Sequence, residues 1–182
     1  MKRRAVFLDR DGILNAAVVR DGRPYPPVSA MDLQVLPGVP EACQVLRDAG
    51  FLLIMVTNQP DIARGTVSED IVTSINDRLQ RELSLDGVSM CPHDGDGCDC
   101  RKPKPGLLLD AADRLGIDLG ASYMVGDRWR DTEAGQNAGC SAVFIDYGYR
   151  EQRPKQPYHR VTSLREAASW IIGQTNGEAT DA

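Results

Sequence analysis

The sequence predicts an α/β protein: one doubly wound parallel sheet with helices on both faces and no large cap domain. Three observations predict it. Short continuous apolar runs alternate with amphipathic stretches, the pattern of buried parallel strands joined by helices. No linker or repeat divides the 182 residues, a length that suits a single core. The residues with unusual chemistry follow the ends of the apolar runs, where such Rossmann-like sheets bind their ligands.

The elements follow in order. Ala5–Leu8 reads as a short buried strand. Residues 39–50, "VPEACQVLRDAG", place Val39, Ala42, Cys43, Val45, Leu46 and Ala49 on one helical face and end in Gly50. "FLLIMVTN" (51–58) is a second buried strand. Residues 68–83 form a helix capped by Ser68, with acidic residues in the first turn. "GVSMC" (87–91) is a weaker strand, and 104–116 a helix opened by Pro105 and closed by Gly116. A strand (122–127), a short helix (131–139), another strand (141–146) and a last helix (163–172) complete the pattern. Residues 16–37 and 146–162 read as irregular. The domain is expected to span 1–172, with 173–182 a disordered tail.

Composition narrows the function. The formal net charge of −5 argues against a general affinity for nucleic acid or anionic membranes. The N-terminal apolar stretch stops at Asp9, too early for a secretory signal, and no run approaches membrane-spanning length. Five cysteines, three of them within ten residues, fit a reducing compartment and a metal better than a disulfide framework.

Asp9 and Asp11 end the first strand in "FLDRDGILN". At i and i+2 they share one face of an extended backbone. Gly12 then allows a sharp turn. Asp127 ends another apolar strand in "MVGDRWRDTEAG". Three carboxylates at neighbouring strand ends suit a hard, oxygen-seeking cation, most simply Mg²⁺. Thr57 and Asn58 end the second long strand and can donate hydrogen bonds to an anion. In "CPHDGDGCDCRKPKPG", Cys91 and His93, then Cys98 and Cys100 four residues further on, make a complete tetrahedral zinc set. With every position filled by protein, that Zn²⁺ is structural. Arg101 and Lys102 follow at once and suit phosphate. Arg64 and Arg128 are further candidates, whereas Cys43 and Cys140 read as core and His159 as a surface residue.

These segments resemble the four motifs of the haloacid dehalogenase superfamily: "DRDGILN", "VTNQ", "RKPKPG" and "VGDRWRD". The cysteine loop narrows the resemblance to the branch of D-glycero-D-manno-heptose 1,7-bisphosphate 7-phosphatases and histidinol-phosphate phosphatases. The resemblance implies that Asp9 is a nucleophile forming an aspartyl phosphate and that Asp11 is the acid and base. It implies Mg²⁺ held by the Asp9 carboxylate, the Asp11 carbonyl and Asp127. Thr57 and Lys102 would hold phosphate oxygens, and Asn58 and Arg101 would meet substrate. A cytoplasmic monomer acting on a small phosphorylated metabolite follows, with heptose 1,7-bisphosphate cleaved at C7 favoured over histidinol phosphate. The basic set Arg101, Arg128, Arg64 and Arg23 favours it, because it could take a second phosphate. A phosphotransferase and a non-catalytic zinc-stabilised module are the other readings. This chain departs from the family pattern in its short cysteine loop, in Pro60-Asp61, and in Arg128 where lysine is frequent; all three lie where substrate is selected.

Overall fold

The computed structural model describes residues 2–27 and 29–178. Eight strands and five α-helices follow in chain order. They are β1 (Ala5–Leu8), β2 (Val18–Arg20), β3 (Arg23–Tyr25), α1 (Val39–Asp48), β4 (Leu52–Asn58), α2 (Glu69–Leu83) and β5 (Gly87–Cys91). Then come α3 (Gly106–Leu115), β6 (Tyr123–Gly126), α4 (Trp129–Ala138), β7 (Ser141–Ile145), β8 (His159–Val161) and α5 (Leu164–Glu178).

Six strands form one sheet in the order β5-β4-β1-β6-β7-β8, every pairing parallel. Among these six the chain winds outward from β1 to one edge, then returns to β6 and winds to the other. The reversal lies between β1 and β6, where Leu8 pairs with Val125. Loops leaving those two strands diverge and open a crevice at their carboxyl ends.

Burial explains the layers. β1 is buried at all four positions and β4 at its central five, as strands covered on both faces must be. Side chains alternate between two cores. Val6 and Leu8 meet α1, α2 and α5 through Leu46, Ile75, Leu79, Ala168 and Ile171. Ala5 and Phe7 meet α3 and α4 through Leu107, Leu108, Ala111 and Ala134. Cys43 and Cys140 belong to these cores, and burial pushes their thiols up to about 11 and about 12.

The expected elements form, with ends shifted by a few residues, and the structure adds three features. The segment 16–37, read as irregular, contains the antiparallel hairpin β2–β3, turned by Asp21 and Gly22 at positive φ. The segment 146–162 ends in the edge strand β8. There His159 stacks on Trp170 of α5 at 4.1 Å, so it packs rather than standing free on the surface. The expected tail is also too long: α5 runs on to Glu178, and 179–182 lie outside the described residues.

Candidate active site

The crevice is a cleft of about 730 Å³ above the carboxyl ends of β1, β4 and β6. Asp9 follows β1, and its backbone N–H donates to Val125 of β6, so the strand pairing itself places the carboxylate at the switch point. Gly12 turns the chain there at φ 91°. A Cβ at this glycine would lie 2.0 Å from Asp127 Oδ2, so the turn packs directly on the Asp127 carboxylate.

Lys102 is the hub of the site. It is 2% exposed, and its ammonium donates to Asp9 Oδ1 at 2.7 Å and to the Val56 carbonyl at 2.8 Å, with Asp131 Oδ1 at 2.7 Å. Burial opposes its charge, but Asp131 and Asp9 together outweigh that and raise its pKa. Its backbone is clasped by Asn58: the Asn58 amide donates to the Lys102 carbonyl at 3.0 Å and accepts from the Lys102 N–H at 3.1 Å. The amide expected to meet substrate is thus engaged in holding the lysine. Asp131, which the sequence reading did not single out, divides its carboxylate. One oxygen takes Lys102 and the other accepts from the Arg128 N–H at the start of α4.

Asp9, Asp127 and Asp131 each offer a carboxylate oxygen, all within 4.8 Å of one another. Burial lifts Asp9 to about 6; Lys102 works against this, while Asp131 and Asp11 add to it. Burial pushes Asp127 well above the carboxylate range, and Asp9 and Asp131 push it further. Tyr149 lies beside Asp127, yet neither Asp127 oxygen has a partner of hydrogen-bond geometry. Two orphaned buried oxygens among converging acids are the mark of a cation site, and an oxygen-only donor set fits Mg²⁺.

Asp11 faces a different set of groups. Its carboxylate accepts from the buried Arg10 guanidinium at 3.0 Å, from Asn15 at 3.0 Å and from Gln59 at 3.0 Å. Arg10 is in turn anchored by Asn76 of α2 at 2.9 Å. Gln59 also donates to Thr57 Oγ1 at 2.9 Å, linking the acid to the hydroxyl at the end of β4. Arg10, Asn15, Gln59 and Asn76 were not foreseen. Their signal was adjacency: Arg10 lies between the two aspartates, and Gln59 follows Asn58.

The four metal-type ligands of the cysteine loop converge too. Cys91 Sγ lies 3.6 Å from His93 Nδ1, 3.7 Å from Cys98 Sγ and 3.0 Å from Cys100 Sγ, and His93 Nδ1 lies 3.3 Å from Cys100 Sγ. A tetrahedron with Zn–S bonds of about 2.3 Å has edges of about 3.8 Å, so the cluster has nearly the dimensions of a zinc site. Lys104 braces the loop through the Asp96 and Cys98 carbonyls at 2.8 and 2.7 Å. The Arg101 guanidinium donates to the His93 carbonyl at 2.7 Å, which ties it to the loop.

The remaining basic candidates line the rim. Arg64 is held by Asp94 at 2.8 and 2.9 Å and by Asp61 at 3.1 Å. Arg128 forms a two-pronged pair with Glu151. Arg23 reaches the cleft from the hairpin. Arg130 also lines it, and burial together with the charges of Arg101 and Arg128 lowers its pKa.

Fold and site together are those of a phosphoric monoester hydrolase of the haloacid dehalogenase type, and residues 99–167 match the family model described as "HAD-hyrolase-like". The D-glycero-β-D-manno-heptose-1,7-bisphosphate 7-phosphatase of Yersinia pestis is 42% identical over 92% of this chain and 89% of its own. The enzyme of the same name from Escherichia coli K12 is 36% identical over 92% of this chain and 87% of its own. The crystal structure of the D,D-heptose 1,7-bisphosphate phosphatase from B. bronchiseptica, complexed with magnesium and phosphate, superposes with a TM-score of 0.81. It is 30% identical, covering 94% of this chain and 99% of its own. The chain belongs to this family of heptose bisphosphate phosphatases.

Proposed function

We propose that the protein removes the C7 phosphate of D-glycero-D-manno-heptose 1,7-bisphosphate by way of a phosphorylated Asp9. The observation that carries the substrate is the state of the rim. Its acids, Asp61 and Glu151, are already paired with Arg64 and Arg128, while further arginines face the cleft. A second phosphate finds cations there. The amine and imidazole of histidinol phosphate find no free carboxylate on the rim, among the described residues.

In the proposed sequence, the Asp9 carboxylate attacks the C7 phosphorus in line with the departing sugar oxygen. Lys102 keeps Asp9 ionised and oriented, and Lys102 and Thr57 hold the phosphoryl oxygens. Asp11 gives its proton to the C7 oxygen as the ester bond breaks. It then takes a proton from the water that attacks phosphorus, releasing inorganic phosphate and restoring Asp9. Arg10, Asn15 and Gln59 orient Asp11 for both transfers. Mg²⁺ would be held by the Asp9 and Asp127 carboxylates and the Asp11 carbonyl; when bound it offsets the repulsion among the acids and neutralises charge on the phosphoryl group. Zn²⁺ on Cys91, His93, Cys98 and Cys100 would be structural, holding Arg101 and Lys102 in place.

The cleft is formed within one chain, which supports action as a monomer. Five free cysteines support the reducing cytoplasm, and no helix of the described residues is long and apolar enough to cross a membrane. The test is kcat/KM for both anomers of the heptose bisphosphate against histidinol phosphate. The reading predicts a clear preference for a bisphosphate with release from C7. Preference for histidinol phosphate, or release from C1, would overturn it.

A further inference from the structure

Gln59 touches two functional groups at once. It directly follows β4 and is buried. Thr57 and Asp11 line the cleft, and Gln59 lies behind them. Its main chain is pinned on both sides: its N–H donates to the Cys91 carbonyl at the end of β5 at 2.8 Å, and its carbonyl accepts from the Ile62 N–H at 3.3 Å. Its side-chain nitrogen donates twice, to Asp11 Oδ2 at 3.0 Å and to Thr57 Oγ1 at 2.9 Å. An amide nitrogen carries two hydrogens, so both are engaged.

We propose that Gln59 is a positioning residue for Thr57: by donating to the Thr57 oxygen it turns the hydroxyl proton toward the phosphoryl group and so makes the threonine a donor to the substrate. The proposal rests on the phosphatase mechanism above, in which Thr57 holds a phosphoryl oxygen, and names the group that sets the direction of that bond.

The direction of each bond follows from the groups present. The Asp11 carboxylate is paired with Arg10 and accepts from Arg10, Asn15 and Gln59. A carboxylate in that setting takes hydrogens, so the Gln59 amide presents its nitrogen and not its oxygen. The same nitrogen faces Thr57, and the hydroxyl oxygen can only accept from it. A hydroxyl has one proton to give, and here that proton is kept from pointing at Gln59. Among the described residues, Thr57 Oγ1 makes no other hydrogen bond. The proton is left for the open side, the cleft that Thr57 lines.

The network is directional over its whole length. Arg10 donates to Asn76 and to Asp11, and Gln59 donates to Asp11 and to Thr57. The Thr57 proton, aimed at a phosphoryl oxygen, is its last link. Burial gives this order its force: Arg10, Thr57, Gln59 and Asn76 are 1–4% exposed, so water does not compete for these hydrogens. Without the Gln59 amide, the Thr57 hydroxyl is free to spread over three staggered positions. Asp11, short of one donor, then draws the same proton.

The experiment measures the binding of inorganic phosphate by calorimetry, with Mg²⁺ present, to the native enzyme, Thr57→Val, Gln59→Met, Gln59→Glu and the two double variants. Phosphate binding uses the Thr57 proton but no proton transfer by Asp11, so it isolates the proposed role. Thr57→Val should weaken phosphate about tenfold, the usual contribution of a neutral donor to a charged acceptor. Gln59→Met keeps the length of the side chain without its donors and should weaken phosphate about threefold, as the freed hydroxyl divides among three positions. In the Thr57→Val background that loss should vanish. Gln59→Glu keeps the shape but offers Thr57 an acceptor, which draws the proton away from phosphate. Its loss should be about tenfold smaller in the Thr57→Val background, where only its added charge still acts. The Gln59→Glu cycle gives the answer by itself if the methionine variant does not fold. Losses equal in the two backgrounds would overturn the proposal and leave Gln59 as a neighbour of Asp11 alone. Native phosphate affinity in Thr57→Val would remove Thr57 from the mechanism above, and the proposal with it.

Discussion

Replacing Lys102 by methionine keeps the length of the side chain and deletes the ammonium. The change leaves two buried carboxylates, Asp9 and Asp131, and the Val56 carbonyl without the donor that now serves all three at 2.7–2.8 Å. Breaking a buried ion pair by removing one partner costs about 3–5 kcal/mol. Unfolding entropies of about 2.1 cal/mol/K per residue, over a chain of this length, convert that to a fall in Tm of about 8–13 °C. The deficit should depend on pH. Burial raises Asp9 to about 6 even though Lys102 pulls it down, so without the lysine the variant should hold its protons to still higher pH. A carboxylate with a raised folded pKa contributes stability that is present at low pH and lost as pH rises through that pKa. The gap between variant and native protein should therefore be small at pH 5 and full at pH 8. Calorimetry in magnesium-free buffer reads it, and the variant should also lose at least a hundredfold in kcat/KM. A variant that melts with the native protein at pH 8 would refute the idea that Lys102 joins two buried acids.

Gly12→Ala should be costly out of proportion to one methyl group, because its Cβ would lie 2.0 Å from Asp127 Oδ2 at a backbone φ of 91°. We expect about 1–2 kcal/mol of backbone strain and at least a tenfold higher Mg²⁺ requirement; native Mg²⁺ dependence would contradict the geometry. Mg²⁺ binding should release protons, since burial raises the pKa of Asp9 to about 6 and that of Asp127 well above its usual value. The rise in Tm on adding Mg²⁺ should accordingly grow from pH 5 to pH 8, and a pH-independent rise would count against this site. Elemental analysis should find about one zinc per chain that survives mild EDTA, and Cys98→Ser should lower both stability and activity; a zinc-free native protein of full activity would remove the structural role of the loop.

The parallel sheet was legible because its strands are uninterrupted apolar runs, and because Asp9, Thr57 and Asp127 each end one. The cysteine loop was legible because its three cysteines and its histidine lie within ten residues. The hairpin β2–β3 was hidden because its strands are only three residues long and mostly exposed, although Asp21-Gly22 is a known turn signal. β8 is as short, and its pairing with β7 depends on a distant strand rather than on its own residues. α5 was cut short because Gly173 and the polar residues after it resemble a frayed end, whereas the helix continues to Glu178. Within the site, the sequence revealed side-chain types but not their allegiances. Arg64 and Arg128 read as free cations until Asp94 and Glu151 were seen against them. Asp131 and Gln59 escaped notice because their roles arise from long-range contacts with Lys102 and Asp11.

The covalent step at Asp9 tests the account most directly. Enzyme mixed with heptose 1,7-bisphosphate and Mg²⁺ is quenched in acid during turnover, digested, and analysed by mass spectrometry. The account predicts a phosphoryl group on the peptide carrying Asp9, lost on mild alkaline treatment as an acyl phosphate is, and absent from Asp9→Asn. Phosphate release at near-native rate by Asp9→Asn, or a phosphoryl group on another residue, would contradict it.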